Sequence, residues 1–201
     1  DRTCTLCGKC SEMCRYSAIA CLGKNVLVYP ELCHSCGGCT LICPVQAIRE
    51  VARHIGNLEA GQAGSIRYVQ GVLNVGEARA VPLIKAVRST VLDVDLAFID
   101  APPGTACPVI EAIRGADFVV LVTEPTPFGL HDLNLAVETT GAMGLPIGVV
   151  VNRASLDGRE LRSYCAAKHI PILAEIRDDR RLAVAYSRGE IVCEEVPEYR
   201  A

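Results

Sequence analysis

The sequence predicts an α/β protein, a mostly parallel sheet with helices on its faces, preceded by a small cysteine-rich α+β module. Three observations predict this. From residue 80 onward, apolar runs of strand length alternate with stretches of helical periodicity, and that alternation builds parallel strands joined by right-handed crossovers. Half of the residues are hydrophobic but only 4% are aromatic, so Val, Ile, Leu and Ala must fill the core, as strands buried on both faces require. Nine of the twelve cysteines fall in the first 43 residues, which sets the head of the chain apart. The expected domains are 1–54 and 55–201.

A chain of 201 residues holds one domain or two small ones. Its formal charge of −3 gives no reason to expect nucleic acid or an anionic membrane as partner. No apolar run approaches the roughly 18 residues of a membrane span, and no export signal is visible. A reducing, cytoplasmic setting is expected.

Residues 33–44 read CHSCGGCTLICP, which is C-x2-C-x2-C-x3-C-P. Bacterial proteins use this run to hold a [4Fe–4S] cluster. Residues 4–14, CTLCGKCSEMC, are an earlier copy offset by 29 residues, and the same offset superimposes Ala18-Ile19 on Ala47-Ile48. The duplication predicts two clusters. A disulfide scaffold and a zinc site are the alternatives. Spacings of two residues are ligand spacings, and zinc commonly uses two separated C-x2-C pairs rather than a triplet plus a fourth Cys before Pro. Gly8, Gly37 and Gly38 let the backbone wrap a cluster and aim N–H groups at sulfur. Residues 25–29 (NVLVY) read as a short strand between the runs. Cys14 is followed by Arg15 where the second run has Pro44, which brings a positive charge near one cluster. Cys21 aligns with Glu50, so the duplication does not require it, and a small buried thiol is the ordinary reading. His34 stands between two ligands, as a tuning group or an exposed loop residue.

The Gly-rich stretch 55–78 suggests short strands at 66–69 and 72–75 with a turn at Gln70-Gly71. Residues 80–89 follow with helical spacing. Residues 94–99 read as a buried strand ending at Asp100. Residues 109–113 begin a helix that stops by Gly115. A strand at 118–123 leads into a helix at 126–143, with Thr126 as N-cap and Pro127 at its first position. A strand at 147–151, a helix at 158–169, a strand at 172–176 and a helix at 178–187 complete the pattern. Ligands of such sheets gather at the carboxyl ends of the strands, where Asp100, Glu124 and Asn152 fall.

Asp100-Ala101-Pro102-Pro103-Gly104 follows its apolar run directly. An Asp there can hold Mg²⁺ through water, and the Gly can offer its N–H to a phosphate. A strand-end Asp followed by a rigid loop explains the local pattern equally well. Cys107 stands at a helix start, where a thiolate is favoured, but a small buried residue is the ordinary reading there too. Cys165 and Cys193 read as structural, and His131 as a surface residue or a functional one.

Residues 94–196 resemble the MinD/ParA branch of P-loop ATPases, through DAPPG at 100–104, TEPTPFG at 123–129 and Val151-Asn152-Arg153. With the double cysteine run, the chain resembles MinD-superfamily ATPases that contain an inserted 2[4Fe–4S] ferredoxin domain. In duplicated ferredoxins the fourth Cys of each run ligates the other cluster. That implies Cys4, Cys7, Cys10 and Cys43 for one cluster, and Cys33, Cys36, Cys39 and Cys14 for the other. The resemblance further implies Asp100 as the Mg²⁺-side acid, Gly104 as γ-phosphate sensor, Asn152 and Asp179 toward the base, and Glu124 to Asp132 on a nucleotide-dependent dimer face. Arg177 stands where the family has a Pro two residues before that Asp. Two [4Fe–4S] clusters, ATP and Mg²⁺ are the implied cofactors. A homodimer and a redox or metallocluster-assembly protein are the implied partners.

No G-x-x-x-x-G-K-[ST] loop occurs in the sequence. In the family it lies near the N-terminus on a central strand. The expectation is therefore a P-loop-type sheet lacking its first strands, with roughly 60 residues ahead of Asp1 (about two strands and their helices) and no ATP hydrolysis by these 201 residues alone. The alternative is a ferredoxin-like electron carrier whose α/β part only docks partners.

Overall fold

A computed structural model describes residues 3–90, 94–154 and 157–200. The chain divides into two compact units, Asp1–Phe98 and Ile99–Ala201.

The first unit opens with a five-residue helix, α1 (Lys9–Met13), followed by β1 (Ile19–Leu22) and β2 (Asn25–Val28). The strands pair antiparallel, from Ile19 opposite Val28 to Leu22 opposite Asn25. The two-residue connection is Gly23-Lys24, with Gly23 at φ +59°, which is the backbone a tight hairpin turn demands of its first residue. β2 is the strand expected between the cysteine runs; its partner β1, Ile-Ala-Cys-Leu, is apolar but only four residues long and does not alternate. A single turn at Pro30–Leu32 leads to α2 (Gly38–Ile42), which packs on α1. Gly38 is buried there, and a Cβ on it would lie 3.1 Å from the Met13 methyl.

A second hairpin follows, β3 (Gly56–Ala63) against β4 (Ile66–Leu73). Gly56 lies opposite Leu73 and Ala63 opposite Ile66. This corrects the expected strand pair at 66–69 and 72–75. The turn is at Gly64-Ser65, and Gln70-Gly71 lies inside a continuous strand. The reason is packing: α3 (Val81–Arg88) lies on the hairpin, and a Cβ at Gly71 would stand 2.7 Å from Leu83 Cγ. A glycine that reads as a turn is here the place where a helix approaches a strand closely.

In the second unit α4 (Cys107–Ile113) precedes β5 (Val119–Thr123), α5 (Pro127–Ala142), β6 (Ile147–Val151), α6 (Arg159–Ala167) and β7 (Ile172–Glu175). The tail is α7 (Arg180–Ser187) and α8 (Val192–Glu195). The strands form a parallel sheet in the order β5-β6-β7, the α/β arrangement that the alternation predicted. β6 is central, with Gly148, Val149 and Val151 buried and Ile147 and Val150 half-buried. Its Val149 and Val151 pack with Leu133 of α5, Leu161 and Cys165 of α6, and Ile170. Burying each of these aliphatic side chains is worth about 1.5–3 kcal/mol. Gly148 admits Leu173 of β7, whose Cδ1 would lie 2.6 Å from an added Cβ.

The expected strand at 94–99 is absent. Residues 94–100 carry no strand, and Leu96 and Phe98 are 72% and 90% exposed. A run of alternating apolar residues becomes a strand only when a neighbour completes its hydrogen-bond ladder, and among the described residues none does. Asp100 therefore stands on an exposed connection and not at the end of a strand.

Candidate metal centre

The cysteine runs have the same backbone twice. Gly8 and Gly37 stand at φ +77° and +73° ahead of α1 and α2. Leu6 and Ser35 share φ of +56° and +51°, and Ser17 and Gln46 share +53° and +50°. Each of these pairs is related by the 29-residue offset. The left-handed turn at each glycine starts a short helix whose first N–H groups return to that glycine's carbonyl: Ser11 and Glu12 to Gly8, Thr40 and Leu41 to Gly37.

The fourth cysteines repeat as well. The N–H of Ala18 donates to Cys14 Sγ at 3.3 Å, and that of Ala47 to Cys43 Sγ at 3.2 Å. N–H groups that point at sulfur favour the thiolate. The N–H of Ala47 is the main influence that holds the Cys43 thiol below its ordinary range. At Cys14, desolvation pushes the thiol up, but the N–H groups of Tyr16, Ala18, Ile19 and Ser17 together outweigh it and the net shift is downward.

All eight cysteines of the two runs line one cavity of about 630 Å³, together with Cys21. All twelve cysteines of the chain are unbridged. The thiols ring the cavity wall instead of meeting at a point: among the described residues no three His, Cys, Asp or Glu side chains are grouped to hold a single ion. Ringed thiols with N–H groups aimed at sulfur are the donor set that iron–sulfur clusters use.

Cys21 is half-buried, and its Sγ lies 3.9 Å from Cys10 Sγ. Burial first, and then Cys21 itself, raise the Cys10 thiol. In the other copy Glu50 takes the place of Cys21 and accepts a hydrogen bond from Thr40 Oγ1. The ring of His34 stacks on that of Tyr16 with centroids 3.7 Å apart and planes 8° from parallel, which ties the end of the first run to the start of the second.

Sequence reasoning missed the basic and acidic side chains around the second run. Arg53 donates to the carbonyl of Pro30, and Arg79 to Ser35 Oγ. Both arginines meet the Glu77 carboxylate, at 2.8 and 3.0 Å. No spacing rule joins residues 35, 53, 77 and 79. Only the path of the β3–β4 hairpin returns the chain to the cluster loop.

In the second unit three expected residues are at or near the strand ends. The N–H of Asn152 donates to the carbonyl of Thr123 at 2.7 Å, which joins the ends of β6 and β5. The Glu124 carboxylate lies 3.6 Å from the guanidinium of Arg153, a residue at φ +51°. Thr126 caps α5 by accepting the N–H of Gly129. A Cβ on Gly129 would meet the Glu124 carbonyl at 2.2 Å, so only glycine fits that turn. Asp179 caps α7 through the N–H of Arg181 and forms a forked pair with its guanidinium, which holds the carboxyl below its usual range. Asp100 is exposed, and Gly104 is at φ +94° with open space around it. Cys107, the first residue of α4, is exposed where a buried thiol was the ordinary reading. Its carboxyl-side neighbour is Pro108. Cys165 is buried in the core, and its thiol is pushed up by desolvation. Cys193 is exposed and donates to the carbonyl of Tyr199.

No described helix is long and apolar enough to cross a membrane. Residues 26–49 match the family described as 4Fe-4S binding domain, and this match indicates an iron–sulfur protein. Two uncharacterized proteins of Methanocaldococcus jannaschii are similar to the chain. One is 24% identical over 90% of the chain and 63% of the relative, the other 30% identical over 77% and 55%. The chain thus spans under two thirds of the length of these relatives. Among solved structures, the MinD cell division protein of Aquifex aeolicus is similar at a TM-score of 0.49 and 18% identity, over 57% of this chain and 52% of that one.

Proposed function

We propose that the first unit holds two [4Fe–4S] clusters and passes electrons, and that the second unit is the carboxyl-terminal part of a MinD-type ATPase that couples nucleotide binding to electron transfer or metallocluster assembly. The observation that carries the first half is the repeated ligand-loop backbone around one cysteine-lined cavity. Cys4, Cys7, Cys10 and Cys43 hold one cluster in this reading, and Cys33, Cys36, Cys39 and Cys14 the other. Each cluster supplies a one-electron couple whose potential the surrounding groups set. The chain's own part is to enclose it, aim N–H groups at its sulfurs and keep water off.

The test is iron and acid-labile sulfide content on the anaerobically isolated chain, with electron paramagnetic resonance after reduction. Two interacting cluster signals are expected, and Cys14→Ser is expected to remove or convert one of them. Two intact clusters in Cys14→Ser would sink the ligand pairing.

For the second unit, the sequence motifs and the parallel strands support a nucleotide site with Asp100 on the Mg²⁺ side, Gly104 at the γ-phosphate, Asn152 and Asp179 toward the base, and Glu124 on a homodimer face. In this reading the protein is cytoplasmic. Calorimetric titration with ATP–Mg²⁺, on the protein with any sequence encoded ahead of Asp1, decides it. Saturable binding lost in Asn152→Ala is expected. No saturable heat leaves the electron carrier with a docking domain.

A further inference from the structure

We propose that Arg79 raises the reduction potential of the cluster held by the second cysteine run, and that buried Glu77 fixes Arg79 in place to do so. This rests on the two-cluster reading above. Arg53, Glu77 and Arg79 form a strap over the loop of residues 30–36. Glu77 is its anchor: its side chain is 2% exposed. A carboxylate so buried is costly to desolvate unless it is paired. It is paired twice, by Arg53 Nη2 at 2.8 Å on one oxygen and by Arg79 Nε at 3.0 Å on the other. The Arg79 backbone N–H donates to the same oxygen as its Nε, at 3.0 Å. The guanidinium of Arg79 is thereby aimed, and its free end donates to Ser35 Oγ.

Ser35 lies between two thiols of the second run. Its own N–H donates to Cys33 Sγ at 3.4 Å. Arg53 grips the same loop at the Pro30 carbonyl. Both arginines and Ser35 line the cluster cavity.

Two guanidinium groups and one carboxylate leave the strap with a net positive charge. The Arg79 side chain is 13% exposed, so salt screens it less than a surface charge. A reduced cluster carries one more negative charge than an oxidised one, and a fixed cation beside it favours the reduced form. Among the described residues no arginine strap is found over the first run, where Leu6, the counterpart of Ser35, offers no side-chain acceptor. The strap therefore separates the two potentials.

The test is potentiometry of the intact two-cluster chain, each cluster followed by electron paramagnetic resonance, in the native sequence, Arg79→Gln and Arg79→Lys. Arg79→Gln keeps a donor for Ser35 and removes the charge. It is expected to shift the reduction equilibrium of one cluster about tenfold toward the oxidised form, which is about 59 mV for one electron, and to leave the other within twofold. Arg79→Lys, which restores the charge, is expected to recover most of that shift. The proposal is overturned if Arg79→Gln moves neither cluster or both equally, or if Arg79→Lys shifts as far as Arg79→Gln. If Arg79→Gln fails to keep its iron, Arg79→Lys decides alone: a full iron complement at the native potentials supports the charge, and loss of iron there too makes the strap a purely structural tether. One cluster per native chain by iron count would overturn the two-cluster reading separately, and the single potential would still test Arg79.

Discussion

The first cysteine run and the second have one backbone, with left-handed residues at 6 and 35, at 8 and 37, and at 17 and 46, yet their neighbours differ at one matching position after another. Cys21 faces Glu50, Arg15 faces Pro44, Leu6 faces Ser35 and Lys9 faces buried Gly38. The backbone is what enclosing a cluster demands, so duplication preserved it in both copies. The side chains outside it are free to diverge, and they make the second loop the more tightly held. It is gripped by Arg53 at the module's end and by Arg79 from beyond it, in addition to the short helix that each loop has. A duplicated loop can thus keep its backbone constant while the side chains around each copy diverge.

The largest test of that difference is a pair of glycine substitutions. Either Gly8→Ala or Gly37→Ala forces a side chain into left-handed backbone, at about 1–2 kcal/mol. Gly37→Ala is expected to cost slightly more, because the exposed Glu50 carboxylate, 3.2 Å from its Cβ, must swing aside, whereas at Gly8 the nearest atom is 4.0 Å away. Urea denaturation of the cluster-loaded chain reads both; equal midpoints would show that the two loops are equally free. Tyr16→Leu comes next. It removes the stack on His34, worth about 0.5–1.5 kcal/mol, and is expected to lower the urea midpoint while both clusters stay bound. Iron loss from one run in this variant would mean that the stack seats a cluster instead of joining the runs.

The smallest effect is a pH dependence. The hydrogen bond from Arg79 holds the Glu77 carboxyl below its ordinary value of 4.5. A carboxyl depressed in the folded state lends stability that is fully present above the unfolded value and fades as pH falls through the folded one. The gap in urea midpoint between the native chain and Glu77→Gln is therefore expected to hold from pH 7 to about pH 5 and to narrow below 4.5. A gap that widens on acidification would contradict the ion pairs.

Much of this was legible in the sequence because it was local. The cysteine spacing, the 29-residue offset, Thr126 before Pro127 and the apolar run of β6 each depend on near neighbours, and the helix and strand bounds from 119 to 187 fall within two residues of expectation. What was not legible depended on distant partners. Gly71 reads as a turn until α3 is laid across it. Residues 94–99 have strand composition, but among the described residues no strand pairs with them. The strap was invisible because a buried Glu between two arginines looks like any other charged stretch until the hairpin folds back. At the strand ends, Glu124 and Asn152 are where the pattern put them, while Asp100 is not, for want of the ladder that would hold it.

The left-handed residues of the ligand loops have a consequence for what holds the loops folded. Leu6, Ser17, Ser35 and Gln46 all carry side chains where backbone of that hand costs about 1–2 kcal/mol apiece. A module of this size has little apolar core to hold such residues against relaxation. Ligation would therefore offset the backbone cost of these loops, and loss of the metal would leave that cost unopposed.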